Sequence, residues 1–222
     1  RPDPPKLDAD LDVPAATTSK TNDAIPSLDE YRNAVRVLKD GKAGGGDGIA
    51  AEYIKAGGEQ LEERLFALIC KVWETESLPT DWKDSIIVPV LKKKDKRDCA
   101  NYRSISLLSI AGKLLMLRIR PHCELRTREN ESGFRIERGA SNQVFTTRQI
   151  FEKRMRAGKS FVVTFVDFTA AFDSVHRSSM WKALTHDGFP PKIINILRNY
   201  YEGANCRVRV YRELSPKFVT DA

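Results

Sequence analysis

The residue best placed to carry out chemistry is Asp167, near the end of the apolar, β-branched run of residues 161–168. A run of this composition is typical of a buried strand. A carboxylate where such a strand ends lies where ligand and metal sites are commonly built. The same position also suits a turn or a helix cap, so the pattern leaves both interpretations open. Asp173, six residues further along, is better explained as a structural cap.

A cluster of five cations follows the β-rich stretch Ser85–Leu91, and it consists of Lys92, Lys93, Lys94, Lys96 and Arg97. Clustered cations can neutralise the phosphates of a polyanion. A charged hairpin tip, however, also keeps an edge strand from aggregating. Further on, Arg135 and Arg138 lie near glycines that would let a polyanion approach the backbone. Neither group alone decides between a binding role and a solvent-exposed one.

The charge of the chain is unevenly distributed. Its 222 residues carry a net charge of +7, but residues 1–30 hold three cations and seven acids, which leaves +11 on residues 31–222. A basic body indicates a polyanionic partner, nucleic acid rather than membrane. No apolar run approaches the roughly 20 residues that a membrane span needs. The four cysteines form no CxxC pair, which excludes a small disulfide scaffold and the usual zinc spacings and favours reduced thiols inside a cell.

The order of predicted elements indicates an α+β fold. Residues 1–27 are rich in proline and predict a disordered linker. Ser27 and Glu30 form a capping box that starts a helix, which Gly41 is expected to end. Residues 44–48 predict a flexible glycine turn. The other predicted helices span residues 61–73, 107–126, 177–187 and 191–202, and one more is capped by Ser141. Further strands are predicted at residues 85–91, where Pro89 suggests an edge or a bulge, and at residues 206–210, which have one basic face.

Four motifs occur in a fixed order along the chain. They read KAGGGDGI at 42–49, IVPVLKKKD and NYRSISLLSIAGKLL between 87 and 115, GFRIERGASNQ at 133–143, and FVDFTAAFDSV at 165–175. Because of these four motifs, roughly residues 40–222 resemble the reverse transcriptase domain of non-LTR (LINE-type) retrotransposons. In that family the first three motifs usually contain KAPGPDGI, NYRPISLL and GFRPGRG. The chain departs from the family at Ser104, which replaces a proline, at Ile136 and Glu137, which replace Pro-Gly, and at Asn142, which replaces an acid.

The resemblance implies DNA synthesis on an RNA template from a DNA primer, with deoxynucleoside triphosphates and two Mg²⁺ or Mn²⁺ ions. The resemblance implies that Asp167 is a catalytic carboxylate that binds metal and that the backbone carbonyl of Phe168 is a further metal ligand. Both are oxygen ligands, which hard cations prefer. The resemblance also matches Lys93 and Arg103 to cations that close on the triphosphate, and Phe172 to the bulky residue that excludes a 2′-hydroxyl. Lys92, Lys94, Lys96, Arg97, Arg135 and Arg138 would contact nucleic acid, whereas Arg207 and Arg209 match no assigned role.

The same resemblance implies right-hand polymerase fingers and a partial palm over residues 81–222, after a helical extension at 28–80 and the linker at 1–27. The family's second acidic block, an (F/Y)ADD hairpin, does not occur in this sequence. We therefore expect a truncated domain with an incomplete two-metal site. A retrotransposon protein is expected in the nucleus and cytoplasm and not at a membrane.

Two other functions fit the residues. One is a non-catalytic, decayed remnant that binds nucleic acid without sequence preference or has no activity. The other is a metal phosphohydrolase that uses Asp167 and Thr169 at a strand end. The phosphohydrolase lacks support from a second acidic cluster in the sequence.

Overall fold

The computed structural model describes residues 24–92, 95–168, 171–172 and 174–220. Over these residues the chain is a mixture of helices and strands, which confirms the predicted α+β class. The helices are α1 (Leu28–Arg36), α2 (Ala51–Ala56), α3 (Gly58–Thr75), α4 (Thr80–Lys83), α5 (Ile110–Arg126), α6 (Ala140–Arg156), α7 (Arg177–His186) and α8 (Pro191–Tyr201). The strands are β1 (Ser85–Leu91), β2 (Tyr102–Leu107), β3 (Asn205–Val210), β4 (Glu213–Leu214) and β5 (Phe218–Val219). None of the helices in these residues is long and apolar enough to cross a membrane.

Helix α1 begins at the predicted capping box. The Ser27 hydroxyl accepts a hydrogen bond from the Glu30 amide (3.2 Å), and the Glu30 carboxylate accepts one from the Ser27 amide (2.8 Å). The helix ends at Arg36 and not at Gly41, so the predicted end is wrong. The reason lies in α2, where Lys55 donates to the carbonyl of Leu38 (2.7 Å) and Glu52 accepts from the amide of Gly41 (2.5 Å). These side chains take backbone groups that another helical turn would have used.

The hydrophobic core is helical and joins the first half of the chain to the second. Trp73 of α3, Leu115 of α5, and Ile193 and Ile196 of α8 are fully buried in one cluster. On the predicted apolar face of α3, residues 69, 72 and 73 are buried, whereas Leu61 and Leu68 lie at the rim. Truncation of a buried side chain as large as Trp73 typically costs about 3–5 kcal/mol.

Strand β1 lies inside the sheet, antiparallel to β2 on one side and parallel to β3 on the other. Strand β3 also pairs with β4 and β5. Both β1 and β3 lie where the sequence predicts strands. Strand β2 was not predicted, and the helix predicted to start at Leu107 begins instead at Ile110. The alternation of serine with isoleucine or leucine over residues 104–107 is the pattern that indicates this strand.

Pro89 determines where β1 and β3 separate. The amide of Lys92 donates to the carbonyl of Asn101, on the side of β2 (2.7 Å). Amides alternate in direction along a strand, so those of Val88 and Val90 also face β2, whereas the nitrogen of residue 89 faces β3. Proline has no amide hydrogen to continue the ladder toward β3. The parallel register accordingly ends at Ile87. The predicted edge strand or bulge is therefore wrong for β1 as a whole, which lies inside the sheet and pairs with β2 without a bulge, and Pro89 lies only beyond the end of its pairing with β3.

The prediction of a buried strand over residues 161–168 is wrong. These residues form no strand, and Val162 and Phe165 are 92% and 88% exposed. A strand needs a partner for its backbone groups, and within the described part of the chain the sheet contains only β1–β5. At its start the segment contacts α6, where the ring of Phe161 lies 5.1 Å from that of Phe151.

The predicted cap of α6 also needs correction. Gly139 occupies the cap position, and its amide donates to the side chain of Asn142 (2.9 Å), while Ser141 lies within the first turn. No residue of α6 is buried, although Val144 and Met155 belong to its apolar stripe. The predicted helix therefore forms, and its apolar side chains are exposed or only partly buried.

Candidate nucleic-acid interface

The predicted cation cluster lies on the connection between β1 and β2. Lys93 and Lys94 are outside the described residues. The turn that follows is held by hydrogen bonds from the Asn101 amide group to the carbonyl of Asp95 and from the Tyr102 hydroxyl to that of Lys96, both 3.0 Å. The turn therefore has a defined shape on which Lys96 and Arg97 are exposed. Lys92 reaches the carbonyl of Ala100 at 3.4 Å.

Three arginines share one face of the sheet, which we call the basic face: Arg103, Arg207 and Arg209. Side chains of directly paired residues on neighbouring strands point to the same side. Arg103 pairs with Val90 and Arg207 pairs with Ile86. Residues 86 and 90 are four apart on β1 and therefore point to the same side of the sheet, so Arg103 and Arg207 share that side. Arg209 lies two residues after Arg207 on β3 and points the same way. Among the residues that the structure describes, none of these arginines has a carboxylate within ion-pair distance. The basic face can therefore receive phosphate groups.

A polar cleft of about 310 Å³ borders the basic face. Asp84 lines it and accepts hydrogen bonds from Lys217 (2.6 Å) and Asn205 (3.2 Å). Burial raises the pKa of Asp84, but these hydrogen bonds outweigh burial and hold the pKa below its ordinary value. Arg207 also lines the cleft, and its Nε is buried without a hydrogen-bond partner among the described residues. No sequence pattern indicates the Asp84–Lys217 pair, because 133 residues separate its members.

Arg135 and Arg138 are engaged in interactions with the end of α5 and with the loop that follows it. The guanidinium of Arg135 is nearly buried, and it pairs with Glu124 (2.7 Å) and donates to the carbonyl of Arg128 (2.9 Å). Arg138 pairs with Glu129, and this hydrogen bond is the main reason why the pKa of Glu129 is lowered. Both arginines therefore shape the loop, and their contact with nucleic acid stays a prediction.

The residues matched to the polymerase centre lie in an exposed, irregular segment. Asp167 is exposed, and Phe168 and Phe172 are about three-quarters exposed. The ring of Phe172 meets that of Phe134 edge to face, with centroids 5.7 Å apart, which joins the third motif to the fourth. Asp173 and Thr169 are outside the described residues.

The described residues do not bring a cluster of potential metal-binding side chains together. Across residues 24–92, 95–168, 171–172 and 174–220, no group of three or more His, Cys, Asp or Glu side chains could hold a metal ion. Two divalent ions require several oxygen ligands between them. The role of Asp167 in a two-metal centre therefore stays a prediction.

No family model matches the chain. Among curated proteins, the chain is 26% identical over 188 residues to the transposon TX1 uncharacterized 149 kDa protein of Xenopus laevis. It is 28% identical over 203 residues to the putative 115 kDa protein in type-1 retrotransposable element R1DM of Drosophila melanogaster. It is 27% identical over 157 residues to the retrovirus-related Pol polyprotein from type-1 retrotransposable element R2 of Nasonia vitripennis.

The chain is similar to transposable-element proteins. The three alignments cover 83%, 87% and 68% of this chain but only 14%, 19% and 15% of the respective relatives. The chain thus spans less than a fifth of the length of each relative. This similarity agrees with the retrotransposon origin that the four motifs indicate and supports a LINE-type source.

Proposed function

We propose that the chain is the fingers and first part of the palm of a non-LTR retrotransposon reverse transcriptase. In that enzyme it would bind the RNA template, the DNA primer and the incoming deoxynucleoside triphosphate. The observation that carries the proposal is the order of the four motifs between residues 42 and 175. Similarity to transposable-element proteins over 83% and 87% of the chain supports it.

The placement of cations supports a nucleic-acid partner. The basic face lies on strands that adjoin the connection bearing Lys96 and Arg97. Phosphate contacts made by such cations supply most of the affinity of non-specific nucleic-acid binding. In this proposal Arg103 and Lys93 contact the triphosphate, and the other cations contact the template and primer backbones.

Metal chemistry is proposed only for a longer chain. There Asp167 would be one carboxylate and the carbonyl of Phe168 one further oxygen ligand for Mg²⁺ or Mn²⁺. One aspartate and one carbonyl leave two hard cations short of ligands. We therefore expect residues 1–222 by themselves not to extend a primer, because groups that act together in catalysis lose most of their effect when half are missing.

Primer extension on an RNA template tests the proposal. We would compare residues 1–222 with a longer chain that includes the corresponding downstream sequence of the parent element, each with and without Asp167→Asn. The expected result is extension by the longer chain only, abolished by Asp167→Asn. Extension by the longer chain that survives Asp167→Asn would contradict the assignment of the site, and extension by residues 1–222 would contradict the proposed limits of the active site.

A second candidate function is nucleic-acid binding without catalysis. The observation that favours it is the exposure of Asp167 in a segment that lacks strand structure, while the basic face is formed. Primer extension combined with an RNA-binding titration at several salt concentrations separates the two candidates. A longer chain that binds RNA with salt-dependent affinity but never extends a primer would support the non-catalytic alternative.

A further inference from the structure

The turn between β3 and β4 presents an aromatic ring to solvent. Val210 pairs with Glu213, so the connection consists of only Tyr211 and Arg212. Tyr211 is 97% exposed and has a φ of 55°. Two-residue hairpin turns with positive φ ordinarily hold glycine, asparagine or aspartate, and a bulky residue there is an outlier. A strained residue of this kind points to a role for its side chain outside the fold.

A cavity of about 710 Å³ lies beside this turn, where Pro89 ends the pairing of β1 with β3. Its lining contains two tyrosines, two arginines and three apolar residues: Tyr102, Tyr211, Arg209, Arg212, Val88, Pro89 and Val210. The hydroxyl of Tyr102 is already bonded to the carbonyl of Lys96, which holds that ring in place. Among the described residues, the lining therefore contains cations and aromatic rings but no carboxylate.

The cations at this cavity are available to a ligand. Neither Arg209 nor Arg212 forms an ion pair with any carboxylate in the described part of the chain. The ring of Tyr211 likewise stacks on no other aromatic ring of those residues. An aromatic face flanked by unpaired arginines suits a ligand that alternates planar rings with negative charges.

Single-stranded nucleic acid has this alternation. Its bases stack on aromatic side chains whatever their identity, and its phosphates pair with neighbouring cations. A duplex offers the phosphates but keeps its bases stacked inside. We propose that the turn between β3 and β4 binds single-stranded nucleic acid, with a base stacked on Tyr211 and the adjoining phosphates held by Arg209 and Arg212. The proposal rests on the proposed function in taking nucleic acid as the partner.

Binding of short fluorescent oligonucleotides of equal length tests this inference. Three strands would be compared by anisotropy: an oligouridine RNA, an oligothymidine DNA and an abasic DNA that has phosphates but no bases. Tyr211→Ala should weaken binding of the two base-containing strands about tenfold, which is within the range expected when one base no longer stacks. It should leave the abasic strand unchanged, while Tyr211→Trp should retain wild-type affinity for all three. The RNA and DNA strands also show which of the two is preferred.

Matched variants separate the ring from the charge. Tyr53→Ala removes another exposed tyrosine, on α2, and should change nothing. Arg212→Ala should weaken all three strands, the abasic one included, and reduce the slope of log K against log salt by about 0.7. Circular dichroism and thermal unfolding would establish that each variant is folded, as expected because Tyr211, Arg212 and Tyr53 are all exposed.

The outcomes distinguish this inference from the proposed function. If the wild-type chain binds all strands and Tyr211→Ala has no effect, or weakens the abasic strand equally, stacking at the turn is wrong while nucleic-acid binding stands. If the wild-type chain binds no strand, both this inference and the nucleic-acid partner of the proposed function are overturned. If the turn instead binds a protein partner, Tyr211→Ala would leave the affinity for all three strands unchanged. That result contradicts the inference.

Discussion

The Ser109 hydroxyl donates a hydrogen bond of 2.8 Å to the carboxylate of Asp47, 62 residues away in the chain. The other oxygen of Asp47 accepts from the amide of Ile49 (3.0 Å), and the oxygen of Ser109 accepts from the amide of Gly112 in the first turn of α5 (3.4 Å). Ser109 is fully buried. The first motif therefore determines how the second motif enters α5.

The glycine at position 45 allows this approach of the two motifs. A Cβ on Gly45 would lie 2.6 Å from the backbone carbon of Leu108 and from the nitrogen of Ser109, whereas a Cβ on Gly46 would meet nothing within 4 Å. We expect Gly45→Ala to lower the free energy of unfolding by roughly 1–3 kcal/mol, because backbone atoms must shift. Gly46→Ala is the matched control and should change it little. Urea unfolding measures both, and equal effects would contradict the close approach.

Nucleic-acid binding by the chain should depend strongly on salt. Replacement of Lys92, Lys93, Lys94, Lys96 and Arg97 by glutamine should reduce the slope of log K against log salt, by about 0.7 for each phosphate of a single strand that is no longer neutralised. Titrations at several salt concentrations measure this. Replacement of Arg135 and Arg138 serves as a comparison, because their engagement with glutamates predicts a smaller change in slope. Affinity that does not vary with salt would rule out phosphate binding by these cations.

The Asp84–Lys217 pair in the polar cleft should make the stability of the fold sensitive to acid. The pKa of Asp84 is lowered in the folded chain, so its contribution to stability is present above the ordinary value of 3.8 and is lost as the pH falls through the folded pKa. Asp84→Asn should therefore destabilise the chain near neutrality and reduce the loss of stability on acidification below about pH 4. Unfolding measured from pH 6 to pH 3 tests this. A constant difference from wild type across that range would show that ionisation of Asp84 does not matter.

Phe172 offers a test of sugar selection in a longer, active chain. Phe172→Val should raise kcat/KM for ribonucleotides relative to deoxyribonucleotides, because a smaller side chain frees the volume that a 2′-hydroxyl occupies; a steric effect of this size is worth about 1–3 kcal/mol. Phe134→Val is the natural comparison, since it removes the other ring of the same aromatic pair. If both variants, or neither, shift the ratio, Phe172 is not the specific discriminating residue.

Local signals predicted the parts of the fold that local chemistry decides. The capping box at Ser27 depends on neighbours in sequence and was correct. The apolar face predicted for α3 is buried at residues 69, 72 and 73 but exposed at Leu61 and Leu68. The buried strand at 161–168 was wrong because an apolar, β-branched composition records a preference for strand but not the presence of a partner. The glycine run was expected to be a flexible turn, yet Gly45 packs against the backbone of Leu108, an arrangement that only the tertiary fold provides.

The candidate site divides in the same way. The basic face of β3 was visible in the alternation of Arg207 with Arg209. Its extension to Arg103 depends on the register across β1, which no local pattern encodes. The exposed Tyr211 was missed, although a bulky residue in place of the usual Asn-Gly between two short strands is the signal that could have revealed it.

The parallel pairing of β1 with β3 also has a consequence for synthesis of the chain. Ser85 and Cys206, which meet in the sheet, are 121 residues apart. The hairpin of β1 and β2 is complete at Leu107, so at usual translation rates it waits roughly 5–20 s before its parallel neighbour, which begins at Asn205, emerges from the ribosome. During that interval one edge of β1 is open to other nascent chains. Pro89, which cannot donate on that edge, and the lysines that follow it protect the unfinished sheet from premature association.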